Sequence, residues 1–101
     1  MNFLMDLIAP PIPAGRRAEV EKLLAELIRI GQTEDFLSEH PGLAYNRDCR
    51  HIRTRQIGTR LDELGGLNLM AYVYRQVKRK LGKILAEHLE AAWDMVGPWR
   101  Y

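Results

Sequence analysis

A single cysteine, Cys49, among 101 residues excludes an internal disulfide framework. No apolar run approaches the ~18 residues that a membrane-spanning helix needs. Neither sign of charge dominates. Fifteen Lys and Arg against thirteen Asp and Glu leave a formal +2, too little in itself to mark a nucleic-acid or membrane binder. No stretch alternates polar and apolar residues between turn signals, so no strand is expected. There is no internal repeat and no low-complexity tract. What remains is 47% hydrophobic and 28% charged, the make-up of a globular domain. At this length the chain is one domain, able to bury a single core without a metal or a disulfide.

The amino terminus is apolar apart from Asn2 and Asp6, and it lacks the basic start of a signal peptide. With its lone thiol, the expected compartment is the cytoplasm. Pro10, Pro11 and Pro13 stop any helix. Residues 1–13 therefore read as an arm, and residues 14–101 as one helical domain. Phe3, Leu4, Leu7 and Ile8 of the arm are expected either to pack on their own body or to reach a second subunit.

Helical periodicity then recurs along the chain. Val20, Leu23, Leu24, Leu27 and Ile28 form one stripe over about 16–30, with Gly31 as its expected stop. Thr33 before Glu34 and Asp35 looks like the cap of a short helix to about Glu39, ended by Pro41-Gly42. Leu43 to Asp48 reads as a loop. A second main helix carries Ile57, Leu61 and Leu64 and ends at Gly65-Gly66. Ile52 falls off that stripe, which means burial from two sides or a later helix start. A third runs over 67–81 with Met70, Val73, Tyr74, Val77 and Leu81 on one face. The fourth, over 83–96, has one stripe of Leu85, Leu89, Ala92, Trp93 and Val96 and another of Ile84, His88, Ala91 and Met95. A helix apolar over so much of its surface is central in a bundle or lies at an interface. The expected architecture is all-α: a compact bundle of four main helices and one short helix, joined by tight turns, with an apolar N-terminal arm.

Charge is distributed unevenly. Residues 1–46 carry net −3, residues 47–83 net +7 and residues 84–101 net −2. The basic block falls into Arg47, Arg50, Arg53, Arg55 and Arg60, with His51 among them, and Arg75, Lys78, Arg79, Lys80 and Lys83. Tyr72, Arg75 and Arg79 share a ridge opposite the apolar stripe of their helix. Such a surface could hold phosphates and stack a base; alternatively its charges are balanced by acids of the first and last helices. Residues 54–81 have the gross form of a helix-turn-helix. The first turn of the second helix, Leu67-Asn68-Leu69-Met70, has little to read bases with, which leaves only nonspecific backbone contact. The candidate nucleic-acid contacts are thus Arg50, Arg53, Arg55, Arg60, Tyr72, Arg75, Lys78, Arg79 and Lys83.

Little in the sequence supports catalysis. His40, Asp48, Cys49 and His51 lack the paired spacing of a zinc site, and no oxyanion hole accompanies a Cys49/His51 pair. Gly65-Gly66 lacks the surroundings of a phosphate loop. Gly58 inside a helix points to close approach of a neighbouring helix. Trp93 reads as core, whereas Trp99 and Tyr101 follow the helix stop and either fold back or meet a partner. The expected function is a non-enzymatic protein-interaction module, most simply a homodimer. Its candidate interface is Phe3, Leu7, Ile84, His88, Met95, Trp99 and Tyr101. The alternative is nonspecific nucleic-acid binding through residues 47–83. No cofactor, metal, membrane or small-molecule ligand is implied.

Overall fold

The computed structural model describes residues 11–37 and 50–101. Phe3 and Leu7, with the rest of the arm before Pro11, lie outside the described residues, as do Arg47 and Cys49. Three helical elements carry the fold: α1 (Arg17–Thr33), α2 (Arg50–Leu81) and α3 (Lys83–Trp93). No strand occurs among the described residues, and no helix there is long and apolar enough to cross a membrane.

Among the described residues there are therefore three helical elements, where four main helices and a short one were expected. The difference lies partly at Gly65-Gly66: α2 consists of two helical arms that meet at a kink, where the backbone of Gly66 (φ 67°, ψ −160°) is not helical. That conformation is essentially restricted to glycine. Arg50 pairs with Glu34 just beyond α1, and Leu81 packs where a side chain on Gly31 would stand. Both ends of α2 thus return to the same end of α1, and the chain reverses at Gly66.

Gly31 does not stop α1. It is buried inside the helix, and its bare backbone admits Leu81 and the Phe36 ring. The Thr33 hydroxyl donates to the Arg29 carbonyl (2.8 Å) instead of capping a following helix. Residues 34–37 form a bend and a turn, with no short helix, and Phe36 plugs the core. At Ile52 the chain is already helical, since α2 begins at Arg50, but the burial from two sides that was to accompany an early start is absent: Ile52 is 37% exposed.

The core takes one face from every element. Val20, Leu23 and Leu27 come from α1, Ile57, Leu61, Met70, Val73 and Val77 from the two arms of α2, and Leu89, Ala92 and Trp93 from α3. Trp93 decides how α3 docks. Its indole lies where a side chain on Gly58 would project, and its Nε1–H donates to the Thr54 carbonyl (3.0 Å). Gly58 is thus the point of closest helix approach, as its place in the sequence implied. The last helix ends at Trp93, three residues early. Met95 adopts φ 70°, and its N–H donates to the Trp99 carbonyl (2.9 Å). This turn brings Trp99 back onto Trp93 and Tyr74, with ring centroids 5.2 and 5.6 Å away.

Candidate interaction surfaces

The arginines of the first arm of α2 are largely spent inside the fold. Glu19 and Glu26 are seven residues apart on α1, and Arg60 and Arg53 are seven apart on an antiparallel neighbour. Two turns of helix therefore return each pair to the same seam. Arg53 Nε and Nη2 donate to Glu26 at 2.6 and 2.8 Å. Arg60 Nε and Nη2 donate to Glu19 at 2.6 and 3.2 Å. Such two-point bonds are strong and directional. They hold the carboxyls of Glu19 and Glu26 below the ordinary glutamate value and push both guanidinium groups up. Arg50 bonds Glu34 at 2.9 Å. Arg55 leaves the seam and donates to the carbonyls of Ala92 and Asp94, both at 2.8 Å, capping the C-terminal end of α3.

Two surface hollows follow the same seam. One of about 630 Å³ is lined by Leu23, Ile57 and the Arg53–Glu26 and Arg60–Glu19 pairs. Another of about 410 Å³ lies over Ile30 between Glu34, Arg50 and Arg29. The lining carboxylates of both are already engaged by arginine. No group of three metal-ligating side chains occurs among the described residues. His51 is half-buried at the start of α2. His40, Asp48 and Cys49 lie outside the described residues.

The second basic stretch is disposed differently. Tyr72 and Arg75 are half-buried, while Lys78, Arg79, Lys80 and Lys83 are exposed at the end of α2 and the start of α3. Arg75 and Arg79 are engaged in contacts of their own. Of the first stretch, Arg50 lies at this same end of the bundle, through its bond to Glu34 beside the α1 terminus. Arg53 and Arg60 instead line the α1 seam, and Arg55 faces α3.

The candidate protein interface divides in a similar way. Trp99 is 7% exposed and belongs to the core, so of the two fates open to the tail this ring takes the fold-back. Its buried Nε1 meets no acceptor among the described residues. Tyr101, two residues later, is 70% exposed, and its backbone N–H donates to Asp94 Oδ1 (3.0 Å). Ile84 is 70% and Met95 64% exposed. Between them stand Ala91 and His88, both half-buried. His88 Nδ1 is 2.8 Å from Asp35 Oδ2, on the turn after α1. The second apolar stripe is therefore exposed at its two ends, Ile84 at the start of α3 and Met95 just past its last residue, and half-buried between them, while the first stripe packs into the core. Behind it Tyr74 is pushed above the ordinary tyrosine value, first by burial and then by Glu90 and Glu87.

Sequence reasoning missed the specific partners of the arginines. The seven-residue spacing on both helices was the available signal, but it acquires meaning only when the two are known to be antiparallel neighbours. The chain matches no family model, no curated protein and no solved structure.

Proposed function

We propose that the protein is a non-enzymatic helical interaction module that pairs with a second copy of itself through the outward face of α3. One observation carries this reading: Ile84 in the first turn of α3 and Met95 two residues past its end are both exposed, with half-buried His88 and Ala91 between them, while the other side of the helix is already buried. Scattered exposed apolar residues are ordinary, but two large ones that bracket half-buried Ala91 and His88 mark a patch. A two-fold pair uses the same patch twice and removes both rows from water. Tyr101, anchored beside Asp94, extends the patch with an amphipathic ring suited to an interface.

Light scattering over a concentration series tests this. The expected result is a mass that rises from 11.7 kDa toward twice that value. Ile84→Glu combined with Met95→Glu is expected to hold the chain as a monomer with unchanged helical circular dichroism. A parent chain that stays monomeric throughout would sink the proposal.

Nucleic-acid binding is a weaker second reading, because six of its candidate contacts, Arg50, Arg53, Arg55, Arg60, Arg75 and Arg79, are already engaged. Exposed Lys78, Lys80 and Lys83 favour what is left of it, a nonspecific phosphate contact at one end of the bundle. Anisotropy of labelled RNA that is unmoved by the protein at low salt would remove it.

A further inference from the structure

The charges of α3 oppose its own dipole. A helix favours acids near its N-terminus and cations near its C-terminus. Here Lys83 opens the helix, its first turn holds no acid, its last turn holds no base, and Gly82 at the N-cap supplies no side-chain bond. Glu87, Glu90 and Asp94 follow toward the C-terminal end. At about 100° per residue these four charged positions lie within about 60° of one another, so they form one flank of the outward apolar row. Arg55 relieves the C-terminal end from within the chain. No side chain caps the N-terminal end, where Lys78, Arg79 and Lys80 add further positive charge on the preceding helix.

We infer that the partner on this face is a second copy whose α3 runs antiparallel, so that Lys83 of each chain meets the partner's Asp94. This rests on the self-association reading and adds orientation to it. In a parallel two-fold pair the two charged flanks would lie on opposite sides of the interface, and Lys83 would meet none of the partner's flank carboxylates. Turning one copy around pairs Ile84 with the partner's Met95 and places the partner's carboxylate beside the uncapped, lysine-rich start of α3. Asp94 is already fixed for this role, since Oδ1 accepts the Tyr101 N–H. Arg100 does not compete for it, because its guanidinium is turned to the carbonyls of Gly97 and Trp99 (2.9 and 2.8 Å). Glu87 and Glu90 of both copies gather near the two-fold axis, so the two ends of the interface carry the electrostatic attraction.

The test uses two charge reversals in the full chain, Lys83→Glu and Asp94→Lys, each checked for native circular dichroism. Each alone places like charges at both ends of the interface and is expected to weaken self-association roughly tenfold, from two symmetric pairs of about 0.5–1 kcal/mol each. An equimolar mixture of the two variants restores opposite charges at both ends and is expected to recover parental affinity. In a Cys49→Ser background, Ile84→Cys and Met95→Cys chains are expected to cross-link to each other and only slowly to themselves. A dimer whose mixed variants gain nothing, or in which Ile84→Cys links readily to its own kind, overturns the antiparallel arrangement and leaves the interaction module standing. A parent chain that never dimerises removes both.

Discussion

Gly58 and Trp93 show how much a single pair of residues settles. The glycine costs its helix about 1 kcal/mol against alanine, yet a β-carbon there would stand 2.6 Å from the Trp93 indole nitrogen. The clash outweighs the gain in propensity. Gly58→Ala is therefore expected to destabilise the protein by about 1–3 kcal/mol, the usual penalty for overpacking, measured by urea denaturation. A stabilised variant would mean that α3 does not dock so closely. The sequence made Gly58 readable as a packing position because nothing else explains a glycine amid good helix formers. It did not reveal Trp93 as the partner, since that contact spans 35 positions of chain. Ile52 and Gly31 were misleading for a related reason: periodicity reports one helix face, whereas burial depends on what a neighbour covers.

Among the elements, α1 and the first arm of α2 depend on a seam of charge as well as on Leu23, Leu27, Ile57 and Leu61. The sign of its pH dependence follows from the lowered carboxyls. The folded state holds Glu26 ionised more firmly than the unfolded chain does. Its contribution is therefore complete above the ordinary value of 4.5 and is lost as pH falls through the lower folded value. Glu26→Gln is expected to lower stability at neutral pH and to lose that deficit in acid, so the parent and variant curves should converge once pH has fallen through the lowered folded value of Glu26. Parallel curves down to the acid limit would show that Arg53 gains nothing from the pair. Helix spans were legible from the 3.6-residue period. The Gly65-Gly66 reversal was legible as a break, and the non-helical backbone of Gly66 is where it falls. The short helix after Thr33 failed because Phe36 is drawn into the core, which overrides a local capping signal.

At the scale of the molecule, α1, both arms of α2, α3 and the tail all contribute to one contiguous core among the described residues. A core shared in this way should melt as a unit. Scanning calorimetry is expected to give calorimetric and van't Hoff enthalpies that agree; a van't Hoff value well below the calorimetric one would mean that a part of the bundle, α1 being the obvious candidate, melts separately. The charge polarity of the chain was evident from composition by segment, and the balancing of the first arginine stretch by α1 acids was one of its two readings. The outward face of α3 was also visible as a second stripe. That its flank runs from a cation to acids against the helix dipole needed the observed ends of α3. The pairing of Trp93 with Trp99 gives the protein an optical property. Both tryptophans of the chain lie within one edge-to-face pair at the junction of α2, α3 and the tail. Its intrinsic fluorescence is thus a local gauge, sensitive to undocking of the carboxyl-terminal third and nearly blind to events confined to α1 or to the charged seam.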